Sequence, residues 1–226
     1  MRLPLMPLNT VLFPGMPMPL LIMEPRYLSM VQECLDAESP FGVALIESGP
    51  EVGGIASPCD VGTLARIVHV AENDTLQDRA LDIVVVGEDR FRIRELEPDG
   101  DLLRGIVEPY EASPADIRVS PELCRELAQM LQEHVAAIMK LIGIPDAQLR
   151  IPEDPEPLSF MIAAHITASV QERQSLLEML QPAERLLRER ELLLEETGHY
   201  RLLLASLEHA KKPEPDKDSP AAFSLN

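Results

Sequence analysis

An uncharged stretch near the start of the sequence is interrupted by prolines, and this combination restricts what the chain can fold into. No charged side chain lies between Leu3 and Met23, whereas prolines stand at positions 4, 7, 14, 17 and 19. A membrane-spanning helix needs about 20 apolar residues with every backbone N–H bonded inside the segment. Each interior proline removes a donor and destabilises a helix by roughly 3 kcal/mol. The stretch is therefore predicted to be extended chain in short edge strands, with Pro14-Gly15 as a turn.

A secretory leader is disfavoured for a related reason. Arg2 supplies a basic start, but neither an uninterrupted apolar block nor a small-x-small cleavage pattern follows it. The three cysteines, Cys34, Cys59 and Cys124, are odd in number, lie far apart and form no C-x-x-C pair. We therefore expect a cytoplasmic protein with reduced thiols, no metal site and no cofactor.

The charge balance restricts the partners of the chain. Its formal net charge is −18, and only Arg2 and Arg26 are basic in the first sixty residues. Nucleic-acid binding depends on a basic footprint that displaces counterions from phosphates. The acidic excess therefore disfavours nucleic-acid binding, and it also repels anionic membrane surfaces.

Residues 1–116 are predicted to form a β-rich domain that contains one short helix. Pro25 opens a segment with helical spacing of apolar residues. Strands are predicted after it at 41–47, 61–70, 81–86, 90–96 and 102–110. Turn residues at 87–89 and 98–100 are predicted to join the last three strands as two hairpins. Because no β-α-β alternation is present, a small mixed barrel is favoured over a parallel sheet.

Residues 117–210 are predicted to form a helical bundle. Ser-Pro-Glu at 120–122 supplies an N-cap, a first-turn proline and a first-turn acid. Two shorter helices are expected next, and a proline then opens a long helix over 182–210. The tail, 211–226, carries too little apolar material to fold, so we expect it to be disordered.

The sequence carries no recognisable catalytic motif. None of its four lysines follows a glycine, so it lacks a phosphate-binding Gly-Lys loop; the dinucleotide fingerprint, the G-x-S-x-G elbow and H-E-x-x-H are missing too. The five histidines are interpreted as surface or core residues. Arg90, Arg92 and Arg94 share one strand face and could bind an anion. Because carboxylates that could neutralise them are close in the sequence, a solvated, salt-bridged strand face is favoured. We predict that the chain is not an enzyme and has no catalytic residues.

The opening motif resembles that of a known family. The chain begins with LPLMPLNTVLFPGMPMPLLIMEPRYLSMV, in which L-P-L-x-P-L, V-L-F-P-G and P-L-x-I-x-E-P-R-Y follow in order. This series is similar to the start of the Lon protease N-terminal domain, especially in its stand-alone version. Later segments fit as well, among them FGVALIE, GTLARIVHV, VVVGEDRFRIREL, DPEPLSFMIAAHI and ERQSLLEML. The resemblance covers roughly residues 2 to 195. One departure is Met23, where the family more often has phenylalanine.

The resemblance implies an α+β fold. It predicts a PUA-like mixed β pseudo-barrel with one short helix, followed by a helical bundle. In full-length Lon an ATPase and a Ser-Lys protease follow this domain, which there helps to recognise unfolded or tagged polypeptides. The implied function is a non-catalytic, ATP-independent polypeptide-binding module, an adaptor in protein quality control. Its implied partners are such polypeptides and a separate ATPase or protease.

The candidate peptide-binding residues surround the opening turn. Six of the ten methionines fall in the first thirty residues. Methionine adapts its shape at promiscuous peptide-binding surfaces, and it is also ordinary core filler. The candidates are Phe13, Met16, Met18 and Tyr27. Glu24 and Arg26 flank Pro25 and are interpreted as a structural pair at the helix start, with Glu24 accepting from first-turn N–H groups.

Two other functions stay open at this point. PUA-related barrels often bind RNA, although the acidic balance disfavours that function here. A structural or oligomerising protein is the second alternative, because the long C-terminal helix has more leucines than one narrow stripe needs: Leu186, Leu187, Leu193, Leu194, Leu203 and Leu204. A bundle core accounts for most of these leucines.

Overall fold

Six strands and five helices make up the described parts of the chain. The computed structural model describes residues 1–54, 56–73, 80–112, 119–144 and 149–210. The strands are β1 (Arg2–Leu8), β2 (Pro17–Ile22), β3 (Phe41–Ser48), β4 (Ser57–Glu72), β5 (Leu81–Asp99) and β6 (Leu102–Pro109). The helices are α1 (Pro25–Asp36), α2 (Pro121–Ile142), α3 (Pro155–His165), α4 (Val170–Glu178) and α5 (Pro182–Ala210).

The six strands close into a barrel. Their order is β2-β5-β4-β3-β1-β6, and β6 pairs in addition with β5. The β1–β3 pair is parallel, and the other five pairs are antiparallel. The first part of β5 pairs with β2 through residues 81–86, and its last part pairs with β6 through residues 91–99. The predicted mixed pseudo-barrel and the α+β fold class are confirmed.

β5 is one strand of 19 residues, so the prediction of a hairpin turn at 87–89 was wrong. At its middle the N–H of Gly87 donates to the carbonyl of Met16 at 3.0 Å, and its carbonyl accepts from the N–H of Gly15 at 2.8 Å. A side chain at Gly87 would collide with the Phe13 carbonyl oxygen. Glycine is therefore needed here because another backbone approaches closely, and not because the chain turns.

The prolines of β2 lie on the free edge of the sheet. Among the described strands, β2 pairs with β5 alone. The carbonyl of Met16 faces β5. Because backbone groups alternate in direction along a strand, the backbone nitrogens of Pro17 and Pro19 point away from β5. Missing N–H groups on that edge leave the sheet intact and discourage pairing with another chain. The edge-strand prediction does not hold for β1, which lies between β3 and β6.

Helix α1 packs against the barrel and contributes to its core. Met30, Val31 and Cys34 are buried against barrel residues that include Phe41 and Ile83. Burial raises the pKa of the Cys34 thiol to about 11. Glu24 is the N-cap residue of α1, but its side chain accepts no hydrogen bond from the described first-turn N–H groups. The side-chain cap predicted from the sequence is therefore absent there.

The bundle is built on α2 and α5, which run parallel. The ion pairs Glu126–Arg190 and Glu133–Arg201 join them at successive levels. As predicted, the Ser120 side chain accepts from the N–H of the third residue of α2, at 3.2 Å. The core between these helices and α3 contains Leu127, Leu131, Val135, Leu158, Ile162, Ile166, Leu186 and Leu193.

The barrel and the bundle share one apolar cluster. Its buried members are Val11, Phe13, Leu45 and Val61 from the barrel and Phe160, Ala163, Leu176 and Leu177 from α3 and α4. The predicted boundary at 116/117 and the predicted disordered tail at 211–226 fall outside the described residues. In the described parts of the chain, no helix is long and apolar enough to cross a membrane.

Candidate functional site

A groove of about 810 Å³ opens where the barrel meets α3. The turn at 14–17 and the middle of β5 at 87–90 form its barrel side, together with residues 110–112. Helix α3 and the segment before it form the opposite wall. Clefts at the junction of two structural units are frequent sites of ligand binding.

The lining of the groove is largely apolar. Its side chains without charge include Pro14, Met16, Pro17, Pro152, Pro157, Phe160, Met161 and Ala164. Met16 and Met161 are half-buried, so each already presents part of its thioether side chain to solvent. Prolines bring no backbone N–H that would need a partner, so these walls can contact an apolar ligand without leaving a donor unsatisfied.

Four carboxylates stand among the described residues of the lining: Glu88, Asp89, Glu111 and Glu156. Glu88 is paired with Arg66, whose guanidinium donates to both of its carboxylate oxygens. Glu156 is 3.3 Å from Arg90 Nη2. Asp89 and Glu111 are exposed and make no hydrogen bond or ion pair with a described residue. The groove is therefore apolar inside and acidic along its barrel side.

Arg90 fixes the barrel to the end of α4, so its predicted place on a solvated strand face was wrong. Its side chain is 4% exposed, and Nη1 donates to the carbonyls of Leu177 at 2.8 Å and Met179 at 2.9 Å. The guanidinium also lies 5.1 Å from the centre of the Phe160 ring. Burial lowers the pKa of Arg90, an effect that the nearby Glu156 partly offsets. The exposure of Arg90 was predicted wrongly because the sequence of the strand does not show that distant helices cover this position.

Arg173 makes the reverse connection, from the bundle to the barrel. Its Nη1 donates to the carbonyls of Ala163 and Ile166 at the end of α3, and its Nη2 donates to the carbonyl of Val11 at 3.3 Å. Its guanidinium lies 5.0 Å from the centre of the Phe13 ring. A cation at a helix C-terminus interacts favourably with the exposed carbonyls there. The two arginines thus hold both walls of the groove in place.

A further arginine, which is fully buried, supports the floor from beneath. Arg185 Nε donates to the Ser159 hydroxyl, which donates to Glu189 Oε1 at 2.9 Å. Arg185 and Glu189 are both fully buried, and the Arg185 guanidinium lies 4.0 Å from the centre of the Phe160 ring. Burial lowers the pKa of Arg185 and raises the pKa of Glu189 well above its usual range. Desolvation therefore opposes this pair, and geometry must compensate for it.

The structure separates the four residues that the sequence suggested for peptide binding. Met16 lines the groove. Phe13 (0% exposed) and Met18 (6% exposed) lie in the cores beneath it. Tyr27 lies elsewhere, beside a small pocket that also contains Pro50.

The α3 side of the groove was missed from the sequence. Phe160, Met161 and Ala164 lie more than 140 positions after Met16 in the sequence, and only the packing of α3 on the barrel brings them to the groove. The local signal that could have found them is the apolar run at the start of a helix that proline opens. That signal is equally typical of a bundle core.

Glu24 and Arg26 lie away from the groove and organise a loop. Their ion pair has an N–O distance of 3.0 Å. Arg26 also donates to the carbonyls of Gly54 at 2.6 Å and Asp101 at 3.0 Å, and the N–H of Gly53 donates to Glu24 Oε2. The pair therefore ties the start of α1 to the loop after β3 and to the β5–β6 turn.

Comparison with known proteins places the chain among domains of one type. Residues 2–195 match the family described as the ATP-dependent protease La (LON) substrate-binding domain. The Lon protease of Syntrophus aciditrophicus is 30% identical over 193 residues, which are 81% of this chain and 24% of that protein. The Lon protease of Escherichia coli K12 is 27% identical over 187 residues, with 82% and 24% covered. The chain thus spans about a quarter of the length of these curated relatives.

Solved structures agree with this placement. A Lon N-terminal domain protein from Xanthomonas campestris superposes with a TM-score of 0.59 at 28% identity, covering 83% of this chain and 96% of that one. The N-terminal domain of the Mycobacterium avium complex Lon protease gives a TM-score of 0.60 at 21% identity, covering 88% and 98%, and supports the fold. This chain belongs to the family of Lon substrate-binding domains.

Proposed function

We propose that the chain is a non-catalytic polypeptide-binding module, which holds extended apolar segments of unfolded proteins in the groove between the barrel and α3. The observation that carries the proposal is the groove itself, apolar inside and lined by half-buried Met16 and Met161. Membership of a substrate-binding family supports the same function.

The chemistry of the lining suits a variable ligand. Methionine is flexible and polarisable, so it adapts to side chains of different shape, as promiscuous peptide-binding surfaces require. The volume falls within the usual range of about 300–1,000 Å³ for ligand sites. Of the residues suggested by the sequence, Met16 is a proposed contact residue, and Phe13 and Met18 support it from the core. Tyr27 has no proposed role in this groove.

The proposed partners follow from the relatives. Since those relatives are Lon proteases, an adaptor that works without ATP and presents unfolded or tagged polypeptides to a separate ATPase or protease is the proposed cellular role, in cytoplasmic quality control. RNA is disfavoured as a ligand of the groove, because the carboxylates along its barrel side would repel phosphates.

Fluorescence anisotropy of a labelled, permanently unfolded polypeptide tests this function. The double variant Met16→Gln/Met161→Gln keeps side-chain length but replaces apolar contact area with amides. We expect its affinity to be about tenfold weaker, since two partly buried thioether side chains are lost from the contact. The matched control is Met23→Gln, because Met23 is 55% exposed and follows the last residue of β2, at the end away from the 14–17 turn.

Three results would contradict the proposal. They are no saturable binding of the polypeptide, equal weakening by Met23→Gln, and tighter binding of an RNA of matched length titrated in parallel. Circular dichroism of each variant shows whether the fold is retained, so a loss of binding can be assigned to the groove.

Self-association through α5 is a second candidate. Several of its leucines are exposed at the surface of the monomer, among them Leu187, Leu194, Leu202, Leu203 and Leu207. Surfaces with such apolar side chains often mark protein contacts. Light scattering over a range of concentrations tests this candidate: a mass that rises with concentration supports it, and a constant monomer mass excludes it.

A further inference from the structure

We infer that the groove selects polypeptide segments in which a lysine or arginine adjoins apolar residues, and that Asp89 and Glu111 read this positive charge. The inference rests on the proposed function and names the class of substrate for the same groove. It commits to a basic, apolar, extended segment as the occupant, because the charges around the groove complement one.

The positions of the two carboxylates carry the inference. Asp89 directly precedes Arg90 on β5, and Glu111 directly follows Tyr110, whose N–H donates to the Arg90 carbonyl at 3.0 Å. Both residues therefore lie beside one backbone contact, at the same end of the β5–β6 pair and across the groove from α3. Both are exposed, and neither is paired with a described residue.

The other charges that line the groove are already engaged. Glu88 is held by Arg66. Arg90 is turned inwards, and its guanidinium donates to two helix carbonyls and to Glu156. Among the described lining residues, this leaves no solvent-facing guanidinium or ammonium group beside Asp89 and Glu111; the inward-facing Arg90 attracts Glu111 but does not bond to it.

The geometry gives each part of a segment a place. An apolar side chain fits between Met16 and the α3 wall, while the backbone passes along the mouth of the groove. A lysine or arginine next to it in the segment then meets the Asp89–Glu111 pair, where exposed charges attract at modest strength. An acidic segment in the same position is repelled.

Three labelled peptides with one apolar core test the inference. The core is flanked by lysines in the first, by glutamines in the second and by glutamates in the third. We expect the lysine-flanked peptide to bind roughly fivefold tighter than the glutamine-flanked one, and the glutamate-flanked peptide to bind weakest. Added salt should reduce these differences, because exposed charges are screened.

A pair of charge-matched variants separates the groove from the net charge of the protein. Asp89→Asn/Glu111→Gln should remove the preference for the lysine-flanked peptide over the glutamine-flanked one. The control, Glu38→Gln/Asp101→Asn, removes the same number of charges at exposed sites. Asp101 lies at the opposite end of the β5–β6 pair.

Each alternative outcome has a definite meaning. If all three peptides bind equally, the inference is overturned and the proposed function stands. If the control variant also loses the preference, the net charge of the protein is responsible, and the inference is again overturned. If none of the peptides binds, the proposed function fails and the inference fails with it.

Discussion

The junction between barrel and bundle has a sealed part and an open part, built from similar apolar residues. In the sealed part, Phe13 and Phe160 are buried, and arginine side chains donate hydrogen bonds to the backbone carbonyls around them. In the open part, Met16 and Met161 stay half-exposed between prolines. Rigid aromatic packing and hydrogen-bonded carbonyls thus fix the walls, while adaptable methionines remain on the surface where we propose that a polypeptide binds.

A groove with fixed walls binds more tightly than one that must form on binding. Ordering a loop or a side chain at the moment of binding reduces the affinity. Arg90 and Arg173 reach across the junction in opposite directions, so a movement of either wall would break hydrogen bonds from these side chains to backbone carbonyls. The groove is thus held open by contacts that no ligand has to supply.

The largest effect is expected when the buried pair below the sealed part is broken. Arg185→Met leaves the Glu189 carboxylate buried without its partner, and we expect the free energy of unfolding to fall by about 3–5 kcal/mol in urea denaturation. The double variant Arg185→Met/Glu189→Leu should recover most of this loss, because no charge is then buried. A double variant as unstable as the single one would contradict this view of the pair.

The single variant should also respond to acid. Burial raises the pKa of Glu189, so the folded variant binds a proton at a pH where the unfolded chain does not. Lowering the pH towards the pKa that a glutamate has in the unfolded chain therefore stabilises Arg185→Met relative to the double variant. The difference in unfolding free energy between the two variants, measured across pH, checks this sign.

A smaller loss is expected at the barrel side of the sealed part. Arg90→Met removes the donor to the Leu177 carbonyl, whereas the Met179 carbonyl still accepts from Arg185 Nη1 at 2.7 Å. We expect a loss of about 1–3 kcal/mol, since one buried acceptor is left unpaired. Peptide affinity should fall as well, because the β5 wall is released from α4. Arg94→Met, at an exposed ion pair with Glu108, is the control and should change stability by less than about 0.5 kcal/mol. Equal losses would contradict the contrast.

A pH-dependent effect is expected in the bundle, at a buried histidine that does not itself line the groove. His134 is buried between α2 and α5, with Nδ1 3.0 Å from Thr197 Oγ1 and Nε2 3.6 Å from a Glu196 carboxylate oxygen. Desolvation lowers its pKa below the ordinary 6.5. As the pH falls, the unfolded chain therefore binds a proton at His134 before the folded chain does. The contribution of the neutral histidine to stability is present above the ordinary pKa and is lost as the pH falls below it. Urea unfolding on both sides of the ordinary value measures the slope.

The matched variant His134→Gln should show a shallower pH slope than the parent protein. A slope that the variant leaves unchanged would contradict the assignment to His134.

The smallest effect on stability is expected in the open part. Met161→Gln should lower the free energy of unfolding by less than about 0.5–1 kcal/mol, because the side chain is half-exposed and the substitution keeps its length. Phe160→Ala next to it removes a buried ring and should cost about 3–5 kcal/mol. Thermal unfolding of the two variants compares neighbouring residues on opposite sides of the boundary between sealed and open parts.

The elements of the fold could be predicted from the sequence wherever the signal is local. The Ser120 cap, the proline starts of the helices and the helical spacing of α2 are contained in a few neighbouring residues. The turn predicted at 87–89 was wrong because a glycine can mark either a turn or a place where another backbone approaches closely. Only the contact with the Phe13–Met16 turn shows that close approach is the reason here.

The candidate site could be predicted only in part. Met16, which lines the groove, stands out in the sequence because its surroundings are rich in methionine and proline. The burial of Phe13, Met18 and Arg90 was not visible, since alternation along a strand does not tell which face a distant helix will cover. The α3 wall was missed for the same reason: it reaches the groove through a contact between residues far apart in the chain.

Methyl NMR of the methionines tests the central claim most directly. The chain has 10 methionines spread over both halves, so labelled methyl groups report on the groove and on remote sites in one titration with an unfolded polypeptide. We predict that the Met16 and Met161 signals shift together and saturably, while Met23, about 20 Å further along the chain if extended, stays unchanged. Shifts at Met23 with Met16 and Met161 unmoved would contradict a binding site in the groove.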